Sequence, residues 1–187
     1  MTDEAGSAGR WICLRQRVVF ESEWFQVRRD EVVRPDGTHG YYDHVVAPDS
    51  VTVMAMDGAG QVLVTRQWIY PHSGAQWRLP GGRVDSDDAG PEAAARRELA
   101  EETGVTARCW RQLGVVHGAD SFTNHRDHVF LATDLGPTQP SRLEPGEADL
   151  RVHWLPFEQV LALVQAREMP HAASTFAVLA ASRPTSP

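Results

Sequence analysis

The chain has 187 residues, enough for one domain with a real core and an appended element. Its formal net charge of −7 argues against a nucleic-acid-binding face, which needs a concentrated basic footprint. No apolar run approaches the roughly 20 residues of a membrane span, and MTDEAGSAGR at the N-terminus has no apolar signal core, so a cytoplasmic location is expected. An acidic protein that acts on polyanions would need metal cations to offset its own charge. Cys13 and Cys109 lie far apart, outside any CxxC pattern, and are expected to be buried, inert thiols.

Residues 1–10 are small and polar and are expected to be disordered. From Trp11 the chain reads as strands: RVVFESEWFQVRRDEVVRP, then DGT as turn chemistry, then HGYYDHVV. VTVMAMDG against QVLVTRQWIY reads as a second hairpin, joined through Gly58 and Gly60. PHSGAQWRLPGGRVDSDDAG is loop-rich, with a short strand around Trp77–Leu79. A helix then starts at Pro91 with Gly90 as N-cap; proline at the first helical position costs nothing, because its missing N–H would be unpaired there. The helix runs to Thr103, and Gly104 supplies the left-handed residue that ends it.

RCWRQLGVVHG and DHVFLATDL read as strands, TQPSRLEPGEAD as a long polar loop and LRVHWLP as another strand. PFEQVLALVQARE has helical spacing, HAASTFAVLAASR reads as a second, alanine-rich helix, and the PTSP tail is expected to fray. No internal repeat or second domain is apparent. The organisation expected is a β extension over 11–47 followed by the main part of a single domain over 48–183.

Within the first helix, RRELAEETG carries Glu98, Glu101 and Glu102 at i, i+3 and i+4, so the three carboxylates share one face. Like charges on neighbouring turns cost a few tenths of a kcal/mol per pair. Arg97, four before Glu101, allows one intrahelical pair, while Ala95 and Leu99 suit packing onto a sheet. Taken alone, such a face is a solvated, charge-rich surface. Shortly before it, LPGG offers carbonyls beside glycines. A hard divalent cation such as Mg²⁺ is held by carboxylates and carbonyls while keeping several waters, so the combination suits a metal that takes up a polyphosphate.

GGRVDSDDAGPEAAARRELAEETGV, Gly81 to Val105, resembles the Nudix box, G-x5-E-x7-R-E-U-x-E-E-x-G-U with U aliphatic. The right half matches at every fixed place: Arg97, Glu98, Leu99, Glu101, Glu102, Gly104 and Val105. The left half departs from it. Gly82 to Arg97 spans 97 − 82 = 15 steps where the box has fourteen, so the first box glutamate falls on Asp88 or Ala89. That glutamate braces the loop in the family, and Asp87 or Asp88 is expected to take over. EADLRVHWLPFEQVLALVQAREMPHAAS resembles the C-terminal part of Nudix ADP-ribose pyrophosphatases, and the N-terminal strands resemble the extension through which such enzymes pair as dimers. The likeness covers roughly residues 15–180.

The resemblance implies an α/β fold, the Nudix α/β/α sandwich with a mixed β-sheet, plus an antiparallel N-terminal strand extension. It implies a Mg²⁺-dependent pyrophosphatase (Mn²⁺ as substitute) acting on a nucleoside diphosphate linked to X, such as ADP-ribose or a related nucleotide sugar, and a homodimer. By position, Glu98 and Glu102 would be metal ligands, Glu101 a ligand or a partner behind the ligands, the carbonyl of Gly81 a further ligand, and Arg97 the residue that orients a carboxylate. A base outside the box is expected at Glu147, with Glu144 and Asp149 following. ADP-ribose pyrophosphatases commonly have a proline about sixteen residues beyond the box glycine, where this chain has Asp120. That leaves nucleoside triphosphates, oxidised ones included, as alternative substrates. A non-catalytic ligand-sensing Nudix domain would be expected to lose box glutamates, and all three are present. Arg66, Arg78 and Arg83 are candidates for phosphate contacts. Trp68, Tyr70 and Phe122 are candidates for base stacking, against a place in the core. His125 and His128 are expected at the substrate side or a strand edge, without a zinc-ligand pattern. Neither G-x-G-x-x-G nor G-x-x-x-x-G-K-[ST] occurs, which removes dinucleotide-fold and P-loop readings.

Overall fold

A computed structural model describes residues 9–182; the expectations for residues 1–8 and for the PTSP tail lie outside them. The chain forms two compact units, one comprising residues up to Pro48 with 119–125, the other Asp49–Gly118 with the chain from Arg126 onward.

The first unit is an antiparallel sheet of β1 (Ile12–Arg15), β2 (Val18–Glu21), β3 (Gln26–Val33) and β4 (His39–Val46). β3 pairs with all three others. Its hairpin to β4 turns at Asp36, whose side chain accepts the Thr38 N–H at 3.0 Å, and Gly37 takes φ 84°. Residues 119–125 lie along β4, with the Val45 N–H donating to the Phe122 carbonyl and the Tyr42 hydroxyl to the Ser121 carbonyl. β1 and β2 are exposed along their whole length, Leu14, Val18 and Phe20 included.

The second unit holds two three-stranded sheets. β5 (Ser50–Ala55), β9 (Asp127–Leu135) and β8 (Ala107–Val116) form one, in the order β5-β9-β8. β6 (Gln61–Ile69) lies between β7 (Gly74–Arg78) and β10 (Arg151–Pro156) in the other. Three helices accompany them: α1 (Pro91–Thr103), α2 (Phe157–Gln165) and α3 (Ala172–Ala181). Val51, Val53 and Ala55 of β5 bury against Ala94, Ala95 and Leu99 of α1. Met54, Val62 and Val64 bury against Val160 of α2 and Ala173 and Ala177 of α3. The sheets are therefore covered by α1 on one side and by α2 with α3 on the other, an α/β sandwich. None of the described helices is long and apolar enough to cross a membrane.

Two expectations are corrected. β5 and β6 are not a hairpin: a turn at Asp57 and one bridge, Met56 to Val62, link them, but they belong to different sheets. β5 pairs instead in parallel with β9, Ser50 to Asp127 through Ala55 to Ala132. Val51 through Ala55 are buried on both faces, as a strand of a sheet covered by helices on both sides must be. Both cysteines are exposed, not buried; each lies on an edge strand, β1 or β8.

Candidate active site

α1 begins and ends where its local signals place it, Gly90 preceding Pro91 and Gly104 closing it at φ 72° in the left-handed region. Its apolar residues turn to the core, and Glu98 and Glu102 are buried with them, at 9% and 5% exposure. Glu101 is different: its side chain is 43% exposed and pairs with Arg97 at 3.0 Å. The three glutamates thus divide into a buried pair and a rim residue.

The loop before the helix is fixed atom by atom. The Leu79 N–H donates to the buried Ser174 hydroxyl of α3 at 3.0 Å. The Pro80 carbonyl accepts the Val53 N–H and the Gly82 carbonyl the Val51 N–H, both at 2.8 Å, so the loop runs along the free edge of β5. The Gly81 N–H donates to Glu102 at 3.0 Å. Any side chain at Gly81 would collide with the Val51 carbonyl, and a Cβ on Gly82 would stand 2.5 Å from the Glu98 carboxylate. The Gly81 carbonyl is the one oxygen of this Gly-Gly pair that accepts no hydrogen bond among the described residues.

Arg97 organises the outer side. It donates through Nε and Nη2 to both oxygens of Asp88, at 3.2 and 2.9 Å, and through Nη1 to Glu98 at 2.8 Å and Glu101 at 3.0 Å. Nη2 also reaches the Arg83 carbonyl at 2.9 Å. With so many acceptors its pKa rises well above the ordinary arginine value, chiefly through the bond to Asp88. Asp88 therefore takes the bracing role across the one-residue insertion, and Asp87 does not; Arg97 in turn holds the Asp88 carboxyl below its usual range.

Burial pushes Glu98 up to about 7, the nearby charge of Arg97 opposing it and Glu101 and Glu147 adding to it. Burial pushes Glu102 further, to about 8, against the Gly81 N–H bond, with the charges of Glu147 and Glu98 adding. Glu147, on a 3-10 turn over Pro145–Glu147, is thus close enough for both buried glutamates to feel its charge. Behind them Arg78, at the end of β7, faces the charges of Glu102 and Asp127, and burial lowers its pKa.

The donor set is all oxygen: two buried carboxylates, a glycine carbonyl with nothing bonded to it, and a backbone cradle that a Cβ would fill. This fits a hard divalent cation, which needs only one or two protein carboxylates when a phosphate and waters complete its shell. No group of three or more His, Cys, Asp or Glu side chains that could by itself hold a metal ion is found among the described residues.

Comparison with known proteins gives the family. Residues 46–177 match the NUDIX domain, and residues 9–48 match the nucleoside diphosphate sugar hydrolase N-terminal domain. The chain belongs to the Nudix family. It is 31% identical over 159 residues to the ADP-ribose pyrophosphatase of Mycobacterium tuberculosis, covering 83% of this chain and 75% of the relative. It is 27% identical over 160 residues to that of Bacillus subtilis, covering 86% of each. The crystal structure of an ADP compounds hydrolase matches its fold with a TM-score of 0.79 at 20% identity, covering 92% of each chain. The protein is a Nudix hydrolase, and enzymes of this family generally use divalent metal ions.

Among the other residues expected at the Nudix site, Arg66 lies over the Trp77 ring, its guanidinium carbon 5.3 Å from the centroid. Arg83 contributes its carbonyl to Arg97 and pairs its side chain with Asp85 at 2.8 Å. Trp68 and Tyr70 are 53% and 87% exposed, not core residues. Phe122, 60% exposed, belongs to the first unit. His128 Nε2 lies 2.9 Å from Asp49, and His125 Nδ1 lies against the Pro48 carbonyl. Sequence reasoning missed Ser174, because a lone serine in an alanine-rich helix gives no sign that its hydroxyl holds a backbone N–H ninety-five positions away.

Proposed function

We propose that this Nudix hydrolase cleaves the diphosphate of a nucleoside diphosphate sugar, ADP-ribose or a close relative, with Mg²⁺, for which Mn²⁺ can substitute. The reading rests on one observation above all: the buried carboxylates of Glu98 and Glu102 lie beside a Gly-Gly cradle, one accepting the Gly81 N–H and the other 2.5 Å from where a Cβ on Gly82 would stand, and the Gly81 carbonyl accepts no hydrogen bond among the described residues. The names of the two ADP-ribose pyrophosphatase relatives and the match of residues 9–48 favour a nucleotide sugar over a nucleoside triphosphate.

In this reading Glu98, Glu102 and the Gly81 carbonyl hold the metal, with Glu101 at its rim. Bound there, Mg²⁺ supplies neutralisation of the charge that develops on the phosphates. Arg97 holds the Glu98 carboxylate in place through its 2.8 Å bond and keeps the loop at Arg83 against the helix. Glu147 accepts the proton of the attacking water, a role worth about 10² to 10⁴ in rate. Arg66 and Arg83 receive phosphate oxygens, and the exposed Trp68 ring stacks on the base. Residues 11–47 form the β extension and 48–183 the hydrolase part. The extension pairs two copies, for which the exposed apolar side chains of β1 and β2, Leu14, Val18 and Phe20, supply the contact.

The test is a Mg²⁺ panel of ADP-ribose, other nucleotide sugars, dinucleoside polyphosphates and nucleoside triphosphates, with products resolved by chromatography. AMP plus a sugar phosphate from ADP-ribose supports the reading; turnover of triphosphates alone overturns the substrate. Light scattering of the intact chain and of Phe20→Glu tests the pairing, which a monomeric parent would refute.

A further inference from the structure

The segment 136–150, between β9 and β10, is fastened at two places, and Glu147 lies between them. At one end its backbone serves the carbonyl terminus of α1. The Gln139 N–H donates to the Gly104 carbonyl at 2.8 Å and the Arg142 N–H to the Glu101 carbonyl at 2.7 Å. The last carbonyls of a helix have no partner within it, so this segment caps the very helix that carries Glu98 and Glu102. The approach is close enough that any Cβ on Gly104 would collide with the Gln139 carbonyl. Glycine at 104 is therefore required twice, for its left-handed φ of 72° and for this contact.

At the other end the β10–β6 ladder stops at Arg151 opposite Arg66. The Trp68 N–H, two residues further along β6, would go without a ladder partner. The Asp149 carboxylate accepts it at 2.7 Å, and the Gln67 side chain donates to the Gly146 carbonyl at 3.2 Å. Asp149 is exposed, so this bond adds little to global stability, and what it fixes is the run of chain beside it. Between the fastenings the 3-10 turn closes on itself, Glu144 N–H to the Glu147 carboxylate at 3.0 Å and Leu150 N–H to the Glu147 carbonyl at 2.8 Å.

We infer that Gly104 and Asp149 are positioning residues: they hold the 136–150 segment as a strap from the end of α1 to the end of β6, and so set where Glu147 stands relative to the α1 glutamates. The inference rests on the reading of Glu147 as the base. It gives Asp149, whose carboxylate accepts the Trp68 N–H, a role in holding the strap.

The experiment compares Asp149→Ala, Asp149→Asn, Gly104→Asn and Glu147→Gln in the full chain, with ADP-ribose and Mg²⁺ as the assay and trypsin cleavage after Arg142 as a readout independent of activity. Asp149→Ala is expected to lower kcat about 10- to 100-fold, as an ångström-scale misplacement does, with KM within about twofold and Tm nearly unchanged. Cleavage after Arg142 is expected to accelerate about tenfold. Asp149→Asn, which keeps an acceptor oxygen, is expected to restore both. Gly104→Asn, which tolerates the left-handed conformation but carries a Cβ, is expected to keep its helical circular dichroism and lose kcat. Unchanged kcat and cleavage in Asp149→Ala overturn the strap, and so does a rise in KM alone, which would assign Asp149 to substrate binding through Trp68. Full activity of Glu147→Gln overturns the base assignment instead, and the cleavage rates then still report whether the strap exists.

Discussion

Glu102→Gln isolates the cost of burying charge in the proposed metal site. Glu102 is 5% exposed, and its pKa stands at about 8 against an ordinary 4.5. A raised carboxyl pKa means that the folded protein keeps a proton the unfolded chain has lost, so stability falls as pH rises from about 4.5 to about 8. Burial is the main cause of that rise, and the charges of Glu147 and Glu98 add to it, so the cost on stability at high pH is on the order of 2–3 kcal/mol. Glutamine keeps the shape and still accepts the Gly81 N–H. In EDTA at pH 8.5 the variant should therefore melt roughly 5–10 °C above the parent, at about 2–4 °C per kcal/mol for a chain of this size. At pH 5 the two should nearly coincide. Millimolar Mg²⁺ should raise the parent's Tm and leave the variant's where it was, closing the gap. Differential scanning fluorimetry from pH 5 to 9, with EDTA and with Mg²⁺, measures all of this. A variant no more stable than the parent at pH 8.5, or a gap that does not grow with pH, refutes the assignment of Glu102 as an uncompensated buried carboxylate.

Asp88→Ala removes the main partner of Arg97 and should cost roughly 1–3 kcal/mol in urea titrations, whereas Asp87→Ala should stay within about 0.5 kcal/mol. Equal effects would show that the insertion is braced in some other way. Gly82→Ala places a Cβ 2.5 Å from the Glu98 carboxylate and should abolish Mn²⁺ binding followed by electron paramagnetic resonance, while the fold persists. Because a metal must displace the protons held at pKa values of about 7 and 8, Mg²⁺ affinity should rise from pH 6 to pH 8 and level off above it. Calorimetry in buffers of different ionisation enthalpy reads that proton release directly, and a pH-independent affinity would contradict it.

What could be read from the sequence is what local chemistry decides. Pro91 and Gly104 mark the two ends of α1 within a few bonds of themselves, and both ends fall where they were expected. β9 carries its apolar spacing from Asp127 to Leu135 without reference to other strands. β5 was legible as a strand, but its partner was not: neighbours in sequence suggest a hairpin to β6, and only the closed fold reveals that Val51–Ala55 pairs in parallel with β9 and is covered on both faces. The cysteines were misjudged for the same reason, since exposure there depends on which strands end up at an edge. At the site, Glu98, Glu101 and Glu102 share a helical face on paper, yet the turn of the helix buries two and leaves the third at the rim with Arg97. The contacts of Gly104 and Asp149 involve main-chain atoms of distant residues, and no side-chain pattern announces them.

The distribution of charge explains why the repulsion on α1 is tolerated. Arg97 is shared among Asp88, Glu98, Glu101 and a carbonyl, so it has no donor left for Glu102. Arg78 faces Glu102 from behind but divides its field with Asp127. Glu147 then adds a further negative charge. A chain selected for stability alone would replace Glu102 with an apolar residue, since a buried carboxylate without a full partner costs more than the hydrophobic contact it displaces. Under the proposed reading the missing positive charge comes from a divalent cation. The burial of Glu102 and its repulsion with Glu98 and Glu147 then raise the free energy of the metal-free state, and neutralising Glu102 is expected to raise stability and to lower metal affinity together.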